Sequence, residues 1–414
     1  MQGARSAPLC IMKEVRPSPA SSFSLALPFP NAQHLNVLTA TAYERLCLIF
    51  LAERFINNKS RLARACIDHG TGLPRLARAA YNPPVNTVGE LGEFPLIDRI
   101  ASAIERSSLP TPVAGGFHLV LGIGDDAAGW SLERGVQVTT TDTAVEGVHF
   151  KRQNTPWSDV GWRVWAANVS DIISMGGKPL VGVVTIGMPA SLEVTAIDDL
   201  YLGLIEACHA YGTLIAGGDI VSSRDVFISV ALTGVCESGL LRRDAASIGD
   251  LVGVSGPLGG SAGGLRLLQC GLASNEALIS AHRRPQPRIS TGLALLEAGV
   301  TGAMDVSDGL IADLAKLCRA SGVAATTDSR LVPVAHSLHE SFSEEESLRY
   351  ALGGGEDYEV LFTGPRESVE RAIASIDGAS IIGEIVAGPP GLVTVLGADG
   401  NELEITEMGW EHLS

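Results

Sequence analysis

The 414-residue sequence lacks the features that would tie it to an oxidising compartment or a membrane. Its seven cysteines are odd in number, scattered and never spaced Cys-x-x-Cys. This indicates a reduced, cytoplasmic chain without a disulfide framework or a zinc site. No apolar run reaches the ~18–20 residues needed to cross a bilayer. The longest candidate, residues 179–190, is shorter and predicts a buried strand.

Two common signatures of nucleotide enzymes are also missing. No Gly-x-x-x-x-Gly-Lys-Ser/Thr segment is present, so a P-loop NTPase is disfavoured. The His-Arg-Asp signature of protein kinases is absent as well. Any phosphate chemistry in this chain therefore needs a different kind of site.

Positive charge is scarce outside the N-terminal segment. Residues 1–86 hold ten Lys or Arg against four Asp or Glu, and the whole chain has a formal net charge of −16, so the remainder carries about −22. A body this acidic is a poor binder of nucleic acid, because phosphates are contacted by Lys and Arg. If the chain binds an anionic substrate, we expect metal ions to supply the positive charge.

The chain is long and apolar enough for two or three domains, since 46% of its residues are hydrophobic. Residues 1–86 differ from the rest by Pro/Ser-rich stretches and unpaired basic residues. They could be a disordered extension, a targeting peptide, or a stretch read from a misassigned start. We favour a dispensable or misassigned extension, because the order of charge, apolar core and cleavage site of a signal peptide is absent.

Short strands and helices alternate from Gly89 onward, which predicts an α/β or mixed α+β fold. One block of predicted strands and helices ends, and a second begins, near residues 238–248. This predicts a boundary between a domain over 87–240 and one over 241–414. The predicted helices include residues 94–104, 161–175, 197–211, 265–270 and 310–320. The predicted strands include residues 119–121, 136–140, 214–216, 226–236 and 302–305.

Carboxylates recur after short apolar strands that end in Gly or Ser/Thr turns. The acids in question are Asp125, Asp126, Asp142, Asp171, Asp219, Asp305, Asp308, Glu356 and Asp357. Such turns place side chains at strand ends, where the sites of open α/β folds gather. Converging aspartates repel each other unless cations neutralise them, and Mg²⁺ prefers oxygen ligands together with substrate phosphates. The set predicts a multi-metal phosphate site.

Each acid also has a purely structural interpretation. Asp308 could cap the helix over residues 310–320. Asp125 and Asp126 could simply form a turn. Asp171 lies inside an apolar helix, where it would need an ion-pair partner if it did not bind a ligand.

Four other features are weaker candidates. His149 could donate to a phosphate or be a core histidine. Arg243 could reach nucleotide phosphates or be solvated. Tyr201 could stack on a purine or pack in the core. The glycine-rich segment 256–264 resembles a phosphate-binding loop, although such a loop alone is weak support.

These segments, in this order, resemble the thiamine-monophosphate kinase family, in the superfamily of aminoimidazole ribonucleotide synthetase and selenophosphate synthetase. The resemblance covers about residues 89–414. The matching segments are Gly92-Glu93-Phe94-Pro95-Leu96-Ile97, Gly122-Ile123-Gly124-Asp125-Asp126, Thr141-Asp142-Thr143, Gly147-Val148-His149-Phe150, Asn168-Val169-Ser170-Asp171, Met175-Gly176, Gly217-Gly218-Asp219, Gly249-Asp250, Met304-Asp305-Val306-Ser307-Asp308-Gly309-Leu310, Gly354-Gly355-Glu356-Asp357-Tyr358-Glu359 and Gly409-Trp410-Glu411-His412.

The resemblance implies a two-domain aminoimidazole ribonucleotide synthetase-like fold, an N-terminal domain that binds ATP and Mg²⁺ and forms a homodimer, and a C-terminal α/β domain. It also implies transfer of the ATP γ-phosphoryl group to thiamine monophosphate. The implied Mg²⁺ ligands are Asp126, Thr140, Thr141, Asp142, Asp171, Asp219, Asp305 and Asp308. The implied ATP contacts are Tyr201, Gly218, Arg243 and Ser307. The implied contacts to the thiamine phosphate are His149, Glu356 and Trp410.

Catalysis is expected to centre on Asp142, Asp219 and Asp308, with direct in-line transfer, since the acceptor oxygen is already anionic. The chain departs from the family pattern in its N-terminal extension, in the residues directly after Arg243 and in Leu413. Two alternatives stay open. One is a sister enzyme that uses ATP to activate another acceptor, and the other is a nucleotide-binding protein without catalysis.

Overall fold

The computed structural model describes residues 86–124, 126–272, 274–403 and 409. The predictions made for residues 1–85, Asp125, Trp410 and Leu413 lie outside the described residues. All described residues belong to one unit by their contacts.

The described chain contains helices and strands interspersed along its length. The elements are α1 (Val88–Leu91), α2 (Glu93–Ser107), β1 (His118–Leu121), β2 (Gly129–Ser131), β3 (Val136–Val145), α3 (Trp157–Ser174), β4 (Lys178–Met188), α4 (Val194–Tyr211), β5 (Leu214–Ser222), β6 (Phe227–Cys236), β7 (Leu251–Val254), α5 (Gly260–Gln269), α6 (Glu276–Arg283), α7 (Ile289–Glu297), β8 (Gly302–Asp305), α8 (Leu310–Ser321), β9 (Ala324–Asp328), α9 (Glu344–Gly353), β10 (Val360–Gly364), α10 (Arg366–Ser375), β11 (Ser380–Val386) and β12 (Val393–Leu396).

The first half is built on a four-stranded sheet in the order β3-β6-β4-β5. Strands β3, β6 and β4 pair antiparallel, and β5 pairs parallel to β4. Side chains alternate along β3, so Thr140 and Asp142 face inward while Thr139, Thr141 and Thr143 are exposed on the other face. The inner face is covered by α3, which thereby lies directly over Asp142.

Glycines allow α3 and α4 to pack unusually closely. A Cβ at Gly161 would overlap the carbonyl oxygen of Leu200, and a Cβ at Gly203 would overlap that of Ser158. The two helices therefore touch backbone to backbone, which fixes how α3 lies over the sheet.

The second half is built on a six-stranded sheet in the order β12-β9-β11-β7-β10-β8. One hydrophobic cluster continues from α3 into this half and includes Trp165, Leu295 and Phe362, all fully buried. A Cβ at Gly292 on α7 would overlap the carbonyl oxygen of Ile173 on α3. The two halves therefore share a close-packed core.

The predicted mixed α/β class is confirmed. The predicted C-terminal ends of two strands were wrong. Strand β3 continues to Val145 and β5 to Ser222. Asp142 and Asp219 therefore lie inside strands and not at strand ends. The glycine-rich segment also differs from prediction, since α5 already begins at Gly260. The boundaries at 87, 240 and 241 stay predictions. No described helix is both long enough and apolar enough to cross a bilayer.

Replacing Gly203 by alanine tests the close approach of α3 and α4. We expect Gly203→Ala to lower the free energy of unfolding by roughly 1–3 kcal/mol, because the added methyl group overpacks the interface. Urea titration of the full chain measures this change. Leu202→Ala is the matched control, since Leu202 is exposed on the same helix; an equal loss in both variants would argue against the close approach.

Candidate functional site

A pair of carboxylates faces the junction from the first half of the chain. Asp142 is supplied by β3 and Asp171 by α3, and the Thr140 hydroxyl donates to Asp171 Oδ2 at 2.6 Å. Burial, reinforced by the charge of Asp171, raises the pKa of Asp142 to about 7. Burial also raises the pKa of Asp171. Two carboxyl groups therefore lie side by side at this site, where a second negative charge is disfavoured unless a cation is present.

The second half adds Asp305 and Asp308 to the same region. Asp305 ends β8, is only 5% exposed and accepts a hydrogen bond from the Ser170 hydroxyl at 3.0 Å. Its burial, with the charges of Asp171 and others, raises its pKa well above the usual range. The charge of Asp308 also contributes to the raised pKa of Asp142. Four predicted ligands, two from each half, therefore lie in one region of the junction.

The loop that carries Ser307 and Asp308 is held by a residue that sequence analysis missed. Asp313 Oδ2 accepts the backbone N–H groups of Ser307, Asp308 and Gly309 at 2.9–3.1 Å. Its side chain is fully buried, and burial raises its pKa. A signal was present, because Asp313 lies on the apolar face of an amphipathic helix, where an acid needs partners.

The chain supplies limited positive charge to this cluster. Lys316 binds Asp308 and Asp313, and the charge of Arg243 lowers the pKa of Asp171, although burial outweighs it. Among the described residues, no three His, Cys, Asp or Glu side chains converge closely enough to hold a metal ion unaided. Buried hard oxygen donors with excess negative charge fit Mg²⁺, which binds through one or two carboxylates and takes its other ligands from phosphate and water.

A cavity of about 760 Å³ opens beside these acids. Its walls come from β3 and α3 on one side and from α5 and the loops around residues 307 and 355 on the other. Of the predicted site residues, it brings together Asp142, His149, Ser307, Asp308 and Glu356. Gly409, the residue before Trp410, also lines it. His149 Nδ1 accepts the Val145 N–H at 3.0 Å, so a proton on the neutral ring lies at Nε2.

The loop that carries Glu356 is bound to the loop that carries Ser307. The Glu356 N–H donates to Ser307 O at 2.8 Å, and the Tyr358 N–H donates to Val306 O at 3.0 Å. Glu356 and Tyr358 have φ values of 66° and 53°, which are costly for non-glycine residues and are found at functional sites. The Glu356 carboxylate forms an ion pair with Arg163, a buried residue that sequence analysis did not select.

Two amides of the glycine-rich segment are already bound by a carboxylate of the chain. Asp357 Oδ2 accepts the Gly259 N–H at 2.6 Å, and Asp357 Oδ1 accepts the Ser261 N–H at 3.0 Å. The start of α5 is therefore occupied by a carboxylate of the chain itself, whose burial raises its pKa to about 7. Residues 256–264 resemble a phosphate-binding loop because the amides of Gly259 and Ser261 bind an anionic group, which here is the carboxylate of Asp357.

Gly218 and Asp219 lie at the far edge of the four-stranded sheet. Asp142 is opposite Val230, and Val230 is opposite Val184. Val184 is in turn opposite Gly218. Three strand spacings, ~14 Å along the sheet, therefore separate β3 from β5. Because side chains alternate, Asp219 faces the outer side of the sheet while Asp142 faces the inner side.

The remaining predicted residues are also apart from the acid cluster. Thr141 is exposed on the outer face of β3. Asp126 lies in an exposed loop. This loop approaches β5, because the Cβ of Ala128 lies 3.8 Å from the position that a Cβ would take at Gly217. Tyr201 is 5% exposed in the hydrophobic core, and this burial raises its pKa. Its contact with ATP stays a prediction, as do the other residue assignments.

Fold and site together define a member of the AIR synthase related proteins. The model of their N-terminal domain matches residues 124–236, and that of their C-terminal domain matches residues 247–395. More particularly, the chain belongs to the thiamine-monophosphate kinase family. It is 36% identical over 330 residues to the thiamine-monophosphate kinase of Aquifex aeolicus and 32% identical over 334 residues to that of Escherichia coli K12. Each alignment covers 78% of this chain and 98% of the relative.

Solved structures agree with this assignment. The thiamine-monophosphate kinase of Stenotrophomonas maltophilia K279a superposes with a TM-score of 0.62 at 34% identity, over 74% of this chain and 96% of that one. The structure described as AaThiL complexed with AMPPCP and TMP superposes with a TM-score of 0.61 at 35% identity. The superposition covers 78% of this chain and 98% of that one. The predicted family and its enzyme class, a phosphotransferase, are confirmed.

Replacing Asp313 tests the loop geometry without reference to activity. We expect Asp313→Ala to lower the free energy of unfolding by about 3 kcal/mol, because three buried amides and Lys316 lose their shared partner. Chemical denaturation measures the loss, and limited proteolysis shows whether cleavage appears near residues 306–309. Asp328→Ala is the control, since that acid pairs with the exposed Arg330. An equal, small loss in both variants would show that Asp313 does not hold the loop.

Proposed function

We propose that this protein transfers the γ-phosphoryl group of ATP to thiamine monophosphate to give thiamine diphosphate. The observation that carries the proposal is the cluster of carboxylates formed by the half-buried Asp142 and Asp171 and the buried Asp305, beside a cavity that is also lined by His149 and Glu356. Family membership supports it, because the relatives are named as thiamine-monophosphate kinases and one related structure holds AMPPCP and TMP.

Mg²⁺ is the cofactor that this donor set fits. Asp142, Asp171, Asp305 and Asp308 would hold it from one chain, with Thr140 orienting Asp171 through its hydroxyl. Bound Mg²⁺ would neutralise charge on the phosphate oxygens of ATP. Ser307 and Arg243, which lie beside these acids, are the proposed contacts to the nucleotide.

The acceptor needs positioning and no strong base. Its reacting atom is a phosphate oxygen that is already anionic at neutral pH, so direct in-line transfer requires alignment of the two phosphates. His149 can donate from Nε2 to the acceptor phosphate, because Nδ1 is occupied by the Val145 amide. Glu356, and Trp410 outside the described residues, are the proposed contacts to the thiamine part.

A homodimer explains why Asp219 lies far from Asp142. Strands β3 and β5 end the sheet on opposite sides, and the outer face carries partly exposed threonines. A twofold association that places β5 of one copy beside β3 of the other would bring the strand that carries Asp219 and the loop that carries Asp126 next to the β3 edge of the partner. We therefore propose that each site takes residues from two copies. Cytoplasmic location and the lack of a nucleic-acid partner stay predictions.

The metal-binding role of the acids is tested by Asp142→Asn and Asp219→Asn. We expect either change to lower turnover by ~10²–10³-fold with little loss of fold, because an amide neither neutralises nor ligates Mg²⁺ as a carboxylate does. Coupled ADP release, with chromatography for thiamine diphosphate, measures the rate. Asp198→Asn is the control, since Asp198 pairs with Arg99 on the surface. Turnover near that of the wild type in either site variant would overturn the metal site.

The shared site is tested with a heterodimer of Asp142→Asn and Asp219→Asn chains, purified by two different tags. One of its two sites then combines an intact Asp142 with an intact Asp219, so we expect about half of the wild-type activity per dimer. The two homodimers serve as controls. A heterodimer as inactive as either parent would show that Asp219 acts within its own chain.

A further inference from the structure

A largely buried polar network lies behind Glu356, and three of its members, Arg163, His282 and Ser261, have no part in the function proposed above. It consists of Arg163 on α3, His282 on α6, Ser261 on α5 and Glu356. The side chains of Arg163 and His282 are 9% and 3% exposed, and that of Glu356 is 30% exposed. The network joins the first half of the chain to the second beneath the wall of the cavity, since Arg163, His282 and Glu356 also line it.

The donor and the acceptor of each hydrogen bond in this network can be assigned. Arg163 forms an ion pair with Glu356, and its Nη1 lies 3.0 Å from His282 Nε2. A guanidinium only donates, so His282 Nε2 accepts and the ring proton lies on Nδ1. That nitrogen lies 3.1 Å from Ser261 Oγ, to which it donates. Burial, together with the charge of Arg163, lowers the pKa of His282 and keeps the ring neutral.

Glu356 is consequently held from both ends. Its backbone is fixed by the left-handed φ of 66° and by the bond to Ser307 O. Its carboxylate is fixed by Arg163, which has little freedom because His282 binds a second nitrogen of the same guanidinium. The result is a carboxylate that is held by the protein while its side chain, 30% exposed, still lines the cavity.

We propose that Arg163 is a positioning residue for the acceptor, which acts by holding the Glu356 carboxylate toward a cationic ring of the bound molecule. The inference rests on the proposed function, because the thiazolium of thiamine monophosphate is such a ring. Arg163 then sets the affinity for the acceptor more than that for ATP, because it binds Glu356 and His282, whereas the proposed nucleotide contacts are Ser307 and Arg243.

The test is a double-mutant cycle on the full chain with Arg163→Met, Glu356→Gln and the combination of both. We expect each single change to raise the KM for thiamine monophosphate by ~10–100-fold, the effect of losing one charged hydrogen bond, with the KM for ATP within about twofold. The double variant should match the single ones, because Arg163 acts only through Glu356. It also removes both charges together, which guards against unfolding caused by an unpaired buried carboxylate.

Two further variants separate positioning from stability. Arg163→Lys keeps the charge but loses the second hydrogen bond, so an intermediate KM is expected. Arg284→Met removes an arginine that binds Asp159 at 2.5 Å and Glu206 at 2.7 Å without lining the cavity. It should lower the melting temperature and leave both KM values unchanged.

The outcomes distinguish this inference from the proposed function. Additive effects in the double variant, equal rises in both KM values, or an unchanged KM for the acceptor in Arg163→Met would overturn the role of Arg163 alone. A ¹⁵N NMR spectrum that places the His282 proton on Nε2 would overturn the network, whatever the activity. A wild-type chain that forms no thiamine diphosphate would overturn the proposed function and the acceptor role with it.

Discussion

Repulsion between poorly solvated carboxylates is the constraint on which the site depends. Asp142, Asp171 and Asp305 approach each other from opposite halves of the chain, and burial raises the pKa of each. If Asp142 and Asp171, which share a hydrogen bond, were both ionised ~4 Å apart, they would repel each other by ~4 kcal/mol at an effective dielectric constant near 20. Arg243 offsets part of the charge at Asp171, and Lys316 does so at the neighbouring Asp308. The rest favours cations from outside, which is how an acidic protein can bind two anionic phosphates.

Such repulsion would separate the two halves if they were loosely joined. They are joined by backbone contact between α3 and α7 at Gly292 and by a core that extends from Trp165 to Phe362. Asp313 adds a local restraint by holding three amides of the loop that carries Asp308. The donor groups are therefore positioned before a ligand arrives, and that arrangement lowers the cost of reorganisation during phosphoryl transfer.

Much of the site followed from local pattern. Asp171 was recognisable as an acid inside an apolar helix, and Asp305 and Asp308 as acids after a short buried strand. The extent of β3 was not, because a run of threonines lacks the alternation of apolar and polar residues that marks a strand. The distance between Asp142 and Asp219 depends on the order of strands in the sheet, which no local pattern specifies.

Arg163 and Asp313 show why partners are harder to predict than ligands. Both are charged residues on apolar helical faces, and both are satisfied by groups distant in sequence or by backbone amides that become available only after folding. Asp357 shows the converse. A glycine-rich segment looked like a phosphate site until its amides were found bound to a carboxylate almost a hundred residues away. The sequence shows that a charged residue on an apolar face, or a glycine-rich segment, is unusual. Whether it binds a ligand or another part of the chain depends on tertiary contacts.

Anomalous diffraction at the manganese edge, from crystals of the full chain with Mn²⁺ and a non-hydrolysable ATP analogue, tests the central claim most directly. The account predicts manganese peaks bounded by Asp142, Asp171, Asp305 and Asp308, with analogue phosphate oxygens completing the coordination. A structure with bound nucleotide and no manganese at these four carboxylates would contradict the metal site. So would one in which Lys316 and Arg243 are the sole positive charges beside them.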